Sequence, residues 1–273
     1  MGFECKILAD SIGTTGVRLT TFQLRYPRIV LAEFNTHRMF SRNTSSSRAK
    51  PTAKILEEVT NDPFVTAEWR YKKSGMQPGK LMKLEDRQVA QFHWNQARNE
   101  ALRHARWMLT AGTSKEIVNR LLEPWMWVDQ VVTATEWDNF FELRCHEDAQ
   151  LEIRTIALMM REALSKGNPQ HKKAGEWHLP YLDDNAVGFA VGCSQDAIDF
   201  MNNLVKVCVA RCARVSYTPF DAEVGDPYED KKLYFKLLKS RHMSPFEHVA
   251  KFDGYGWYAN FNGWKSHRYL IGE

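Results

Sequence analysis

The 273-residue sequence lacks most of what a secreted, membrane-spanning or metal-dependent protein would need. Its five cysteines (Cys5, Cys145, Cys193, Cys208 and Cys212) form no C-x-x-C pair and no paired framework, which argues against a disulfide scaffold and for a reduced, cytoplasmic setting. Cys208 and Cys212, four apart on an expected helix, read as small buried hydrophobes. The nine histidines contain no H-E-x-x-H and no zinc-like spacing with cysteine, so no metal is expected. No apolar run reaches membrane-spanning length, Met1-Gly2-Phe3-Glu4 opens no signal-peptide pattern, and no internal repeat is evident. The net charge of +4 is too small to point to nucleic acid, although it suits anionic small molecules.

What is present is an ordinary globular composition, 44% hydrophobic and 26% charged, expected to form a single domain over residues 1–273. Strand-like segments run up to Asn35. Helices are expected over Pro51–Val59 and Leu81–Leu109, the latter stopped by Gly112, with a loop over 61–80. Thr113-Ser114-Lys115-Glu116 has the form of a capping box opening a helix that ends before Pro124. Asp138 or Asn139 caps a helix to about Ser165, with Gly167 as its stop; Ser194 caps another to Arg211, and a last one spans Asp230–Arg241. Beyond it, Gly254, Gly256 and Gly263 alternate with Tyr255, Trp257, Tyr258, Phe261 and Trp264 in an unusual tail that could cover a site, form an interface or simply pack.

Chemistry concentrates in His37-Arg38-Met39-Phe40-Ser41-Arg42-Asn43-Thr44-Ser45-Ser46-Ser47-Arg48. Guanidinium forks suit phosphate and carboxylate, and hydroxyl, amide and backbone N–H groups can complete such a cradle. By itself the stretch could equally be a Ser-rich solvated loop. Three more blocks stand out: Asn139-Phe140-Phe141-Glu142-Leu143-Arg144 continuing through Ala149-Gln150-Leu151-Glu152-Ile153-Arg154, Ala210 to Tyr217, and His242-Met243-Ser244-Pro245-Phe246-Glu247-His248.

Together these blocks resemble the flavin-dependent thymidylate synthases, which carry R-H-R-x-x-S-x-N-E-x-S-x-R-Y, N-F-L-x-L-R-x-x-x-x-A-Q-x-E-I-R and H-x-(T/S)-P-F-E-H. The resemblance implies a mixed α/β fold of the α+β type, with long helices around an antiparallel sheet. It also implies a homotetramer with intersubunit sites, FAD as cofactor, NADPH and methylenetetrahydrofolate as co-substrates, and a pyrimidine deoxynucleotide monophosphate, foremost dUMP, as substrate. In the family the P-F-E-H block precedes the R-H-R loop; here it lies near the C-terminus. A circular permutation within one strand would produce this order, and would make residues 17–25 and 247–253 neighbours, along one strand line or across subunits.

Carried over by position, Arg144 is the catalytic cation, which stabilises charge on the pyrimidine so that no enzyme thiolate is needed. Arg144 paired with Asp148 on an exposed helix is the bland alternative, and Cys145 beside His146 is a weak nucleophile candidate. The nucleotide-binding positions are Glu33, Thr44, Ser46, Ser47, Arg48, Arg120 and Arg144; Glu116 and Asn119 share the helix of Arg120. The cofactor-binding positions are Thr36, His37, Arg38, Asn43, Asn139, His242, Ser244 and Glu247. Arg154 is left outside the site.

Several positions depart from the family. Thr36 replaces the first Arg of R-H-R, Thr44 the Glu, Ala49 the closing Tyr, and Glu33 a Gln; Thr133 and Thr135 stand where the family has Asn-x-Arg for the flavin. Fewer cations and an added carboxylate would favour another ligand or pose, and Arg42 or Lys50 could compensate. Three readings therefore follow: thymidylate synthesis from dUMP; methylation or hydroxymethylation of another pyrimidine nucleotide such as dCMP; or a non-catalytic nucleotide or nucleic-acid binder using the aromatic tail.

Overall fold

The computed structural model describes residues 2–75, 77–216 and 225–272. Strands β1 (Glu4–Gly13) and β2 (Arg18–Pro27) form an antiparallel hairpin. A 3-10 turn over Arg28–Val30 leads into the short α1 (Leu31–Phe34), and the chain returns as β3 (Ser41–Thr44). Next come α2 (Thr52–Asn61), α3 (Leu84–Thr110), α4 (Lys115–Val118), a 3-10 turn over Asn119–Trp125, and β4 (Trp127–Ala134). Helices α5 (Asp138–Arg144) and α6 (Leu151–Lys166) precede the short strands β5 (Gln170–Lys172) and β6 (Trp177–His178). The rest comprises α7 (Asp184–Cys193), α8 (Ala197–Ala213), α9 (Pro227–Lys239), a 3-10 turn over Ser244–Glu247, β7 (Ala250–Tyr258), β8 (Phe261–Ser266) and α10 (His267–Leu270).

The fold is the expected mixture of helices and largely antiparallel sheet. One sheet has the order β3-β4-β2-β1-β5, antiparallel except where β5 joins β1, and a second has the order β6-β7-β8. Strands β2 and β4 are buried along nearly their whole length because both faces of the larger sheet are covered. One face carries Phe22, Leu24, Tyr26, Val128 and Val132, packed on Phe34, Phe40, Trp137 and Phe140 and on Ile153, Ile156 and Met160 of α6.

The other face is polar at its centre. Ser11 Oγ lies 2.9 Å from His178 Nδ1, His178 Nε2 lies 2.7 Å from Thr21 Oγ1, and Thr21 Oγ1 lies 2.7 Å from Thr133 Oγ1. Thr133 Oγ1 in turn lies 2.8 Å from His248 Nδ1. This chain of five buried side chains ties the two sheets together. Burial pushes the His178 and His248 pKa values down to about 3, so both rings are neutral. Replacing Thr133 with valine keeps the shape but leaves Thr21 and His248 each one bond short. A loss of about 1–3 kcal/mol is expected, read as a lower urea midpoint; an unchanged midpoint would show that the link contributes nothing.

Several local expectations are corrected. The helix expected from Asp138 to Ser165 is two helices, α5 and α6, separated at Cys145–Gln150. At about 100° per residue, one straight helix would point Phe140 away from Ile153, Ile156 and Met160; the break lets both segments face the same core. Asp196, not Ser194, caps α8 by accepting from Asp199 N, and Asp226 starts α9 earlier than expected by accepting from Tyr228 N. Asp183 caps α7, which the pattern did not suggest. The helix after Ser114 tightens into the 3-10 turn after four residues, and that turn runs through Pro124. Part of the motif loop is strand β3, paired with β4 from Ser41↔Thr133 to Thr44↔Gln130.

Residues 17–25 and 247–253 do meet in part: Leu19 packs with Ala250 and Phe252, flanked by Val17. They do not share one strand line. β2 lies in the larger sheet between β1 and β4, whereas β7 lies in the second sheet between β6 and β8. Helix α3 buries Ala101, Leu102 and Ala105 against α2, Val118 of α4 and the turn that carries Leu122 and Trp125, while Val89, Phe92, Trp107 and Leu109 stay exposed.

Candidate active site

Helix α5 ends on Arg144, and the turn after α1 presents Thr36 and His37 to it. Arg144 Nε donates to His37 Nε2 at 3.0 Å, and its Nη2 lies 3.4 Å from Thr36 Oγ1. The local packing explains the meeting. Phe140, one turn before Arg144, is buried against Phe34 and Phe40, and His37 sets its ring edge-on to Phe140 at 4.9 Å and stacked on Phe40 at 5.8 Å. Arg42 Nη1 closes the turn by donating to the carbonyls of Asn35 and His37 at 2.7 and 3.2 Å.

Burial, and then the charges of Arg144 and Arg42, push the His37 pKa down to about 4. The ring is therefore neutral at physiological pH, with the proton on Nδ1, and Nε2 can accept from the guanidinium. Arg144 does not pair with Asp148, which instead accepts from Gln77 Nε2 at 3.1 Å. Burial pushes the Cys145 thiol up, so a thiolate at this position is scarce.

The His242–His248 block returns to β3. Ser244 Oγ donates to Asn43 Oδ1 at 3.0 Å, while Asn43 Nδ2 donates to the Cys212 carbonyl at 2.8 Å. Asn43 is thus buried and bonded at both ends of its amide, a brace between β3, α8 and the Ser244–Glu247 turn. Glu247 Oε1 accepts from Arg268 Nη1 at 2.7 Å. Next to it, His248 Nε2 is buried with no partner. Thr44 Oγ1 accepts from Gln130 Nε2 at 2.6 Å.

The far end of the motif loop forms an anion-compatible corner. Glu123 Oε1 gathers Ser47 Oγ at 2.9 Å, Arg120 Nη1 at 3.0 Å and Arg28 Nε at 3.0 Å. Arg28, Asn35, Arg120 and Glu123 line a cavity of about 590 Å³. Asn119 is fully buried and donates to the carbonyls of Ser47 and Lys50, so it shapes the loop from within, whereas Arg120 is exposed at the cavity. Arg48 is exposed with its Nε 3.6 Å from Glu116, and Ser46 Oγ accepts from the Arg48 N–H. Lys50 pairs with Glu58.

The remaining sequence candidates are not drawn together. Glu33, Arg38, Asn139 and His242 are exposed on separate elements, Glu33 taking part through its carbonyl, which accepts from Thr36 Oγ1. The third block is architectural: buried Arg211 pairs with Asp230 at 2.9 Å and Asp183 at 2.8 Å, and Arg214 with Asp230 at 2.6 Å. Tyr217, its last residue, lies outside the described residues. Gln150, Glu152 and Arg154 line a different cavity of about 340 Å³ beside Phe64, Trp69 and Trp94. Sequence reasoning missed Arg28 and Glu123, and took Arg268 only as part of a base-stacking tail. Glu123 at i+3 from Arg120 was a readable signal; the partners of Arg28 and Arg268 are set by tertiary contacts.

A sheet-and-helix scaffold that brings an H-R loop, an N-F-x-x-L-R helix and an S-P-F-E-H turn to one place defines a class. The model of the thymidylate synthase complementing protein family matches residues 18–170, more than half of the chain, and the chain belongs to that family, the flavin-dependent thymidylate synthases. It is accordingly an enzyme of the methyltransferase class. Among solved structures it is similar to the UMP/dUMP methylase PolB from Streptomyces cacaoi bound with 5-Br UMP, at TM-score 0.51 and 18% identity, covering 60% of this chain and 89% of that one. The same methylase bound with 5-Br dUMP gives TM-score 0.50 and 17% identity, covering 60% and 90%. At these identities the likeness is one of fold. None of the curated proteins matches the chain.

Proposed function

We propose that this enzyme transfers a one-carbon unit from methylenetetrahydrofolate to C5 of a pyrimidine deoxynucleotide, foremost dUMP to dTMP. The observation that carries the reading is the Arg144–His37 bond of 3.0 Å, which joins two motif blocks 107 residues apart in sequence. Attack from C5 requires negative charge on the uracil carbonyl and N3 side to be stabilised as it develops, and a guanidinium held by a neutral imidazole does this without reorganising. The raised Cys145 thiol supports a route without an enzyme nucleophile. The nucleotide phosphate is assigned to the corner of Ser46, Ser47, Arg48 and Arg120, with Arg28 added, and Glu33 and Thr44 flanking.

The polar groups around the motif loop suit FAD: the Ser244 hydroxyl and the accepting Glu247 carboxylate, with His37 and Arg42 beside them, Asn43 bracing them through both ends of its amide, and the unpartnered His248 Nε2 behind. Thr36, Arg38, Asn139 and His242 are further contacts in this reading. Bound flavin, reduced by NADPH, supplies the hydride that completes the methyl group. A homotetramer with sites between subunits accounts for the exposed Val89, Phe92, Trp107 and Leu109 of α3 and for the separation of Asn139 and His242 within one chain. A permuted block order accounts for the return of the C-terminal S-P-F-E-H turn to β3. A cytoplasmic location and a single domain complete the proposal.

A second reading is favoured by the replacements at Glu33, Thr36 and Thr44 and by the similarity of fold to a UMP/dUMP methylase: a different pyrimidine nucleotide, UMP or dCMP, or a hydroxymethyl product. Tritium release from C5-labelled dUMP, UMP and dCMP, with FAD, NADPH and methylenetetrahydrofolate, separates these. Release from dUMP with dTMP as product is expected; release confined to UMP or dCMP would move the substrate, and release from none would remove the catalytic reading.

A further inference from the structure

The C-terminal hairpin of β7 and β8 is packed at a defined place in the fold. Phe252, Phe261 and Trp264 are buried with Leu19 of β2. Gly263 has φ +73°, and a Cβ there would sit 2.7 Å from the Gly254 carbonyl oxygen, so the close approach of the strands needs glycine. The hairpin rests on one position where the motifs depart from the family and on one where they match it. The Asn262 N–H donates to Thr135 Oγ1 at 3.1 Å, and Thr135 stands in place of a flavin-directed arginine. Asn260 Nδ2 reaches Ser41 Oγ, in the H-R-x-x-S motif, at 3.5 Å.

Between hairpin and motif loop lies a cavity of about 290 Å³ lined by Ser41, Glu247, Asn260 and Arg268 and walled by Tyr258 and Tyr269. Arg268 is held in it by Glu247 at 2.7 Å. We propose that Arg268 is a flavin-nucleotide-binding residue: the hairpin supplies, from the opposite end of the chain, the cation lost at Thr36 and Thr135, and the cavity takes the sugar-phosphate part of the cofactor. The chemistry of the lining matches that class. A guanidinium is a bidentate donor to phosphate, and a carboxylate beside it accepts from ribityl or ribose hydroxyls. The serine and tyrosine hydroxyls and the asparagine amide can complete the shell. The proposal rests on the flavin reading above.

The test titrates FAD, FMN and riboflavin into the purified full chain, following flavin fluorescence and, for each variant, the melting curve. Arg268→Ala should weaken FAD and FMN by about tenfold or more, the worth of one charge-assisted contact, and leave riboflavin unchanged, while Arg268→Lys recovers part of the loss. Should Arg268→Ala fail to fold, Arg268→Gln, which keeps a polar amide donor without the charge, is read by the same criteria. Equal FAD affinity in wild type and variant, or equal loss of FAD and riboflavin, would overturn the role of Arg268 while leaving the flavin reading intact. A wild-type chain that binds none of the three would instead overturn the flavin reading itself.

Discussion

Replacing Arg144 with alanine is expected to lower turnover by about 10³-fold, about 4 kcal/mol of transition-state stabilisation, with little change in folding. The asymmetry follows from the geometry. Arg144 is the last residue of α5 and half-buried, and its aliphatic stem is not part of the core that Phe140 and Phe141 build. Its guanidinium meets a neutral ring nitrogen and a hydroxyl rather than a carboxylate, so no buried anion is left behind by truncation. The same variant carries a readout independent of activity. Arg144 is the second cause, after burial, of the depressed His37 pKa, so removing it should move that titration up from about 4, observable by NMR. Retained activity in Arg144→Ala would end its assignment as the catalytic cation; an unmoved His37 titration would mean that the pair does not form in solution.

The protein should also be acid-labile well above the carboxylate range. His178 and His248 titrate at about 3 in the fold, against about 6.5 in an unfolded chain. The unfolded state therefore binds more protons below pH 6.5. The stability is fully present above that pH and is lost as pH falls from about 6.5 toward 3. At pH 5 the two rings together cost about 4 kcal/mol, comparable to the whole stability of a marginal domain. Protonation would also make every ring nitrogen a donor and force the Ser11–His178–Thr21–Thr133–His248 chain to reorient, since His178 holds two of its bonds and His248 one. Urea unfolding at pH 7, 6 and 5 should show a falling midpoint in the wild type and a shallower fall in His178→Asn and His248→Asn. A midpoint independent of pH over this range would mean that one or both rings are hydrated or already charged.

Much of the candidate site was readable because its chemistry lies in compact blocks. His37, Ser46, Arg48 and Arg144 stand at recognisable spacings, and an Arg or His keeps its chemical character wherever the fold carries it. The inner side of the motif was not readable. Whether Asn43 faces a ligand or the interior depends on strand alternation in β3, and for Asn43 and Ser47 alike on which partners arrive there; these come from the pairs 43–244, 43–212 and 47–123, far apart in sequence. The break between α5 and α6 was hidden for a similar reason. The Cys145–Gln150 stretch has no proline or glycine, and it bends because two apolar faces at incompatible helical phase must meet one core.

By itself, the sequence determined the family through its motif blocks, and through that resemblance the class of fold and the kind of chemistry, because motif spacing is a local property of the chain. Tertiary structure alone decided which polar groups are consumed in holding the protein together and which remain for a ligand. It turned Thr133 and His248 into an inter-sheet link, Arg211 into a buried ion pair and Glu123 into the anchor of two arginines. It also carried the glycine- and aromatic-rich tail back to Ser41 and Thr135. The physical reason is that a polar side chain acquires its role from the partner that desolvates or bonds it, and that partner is chosen by packing between distant segments.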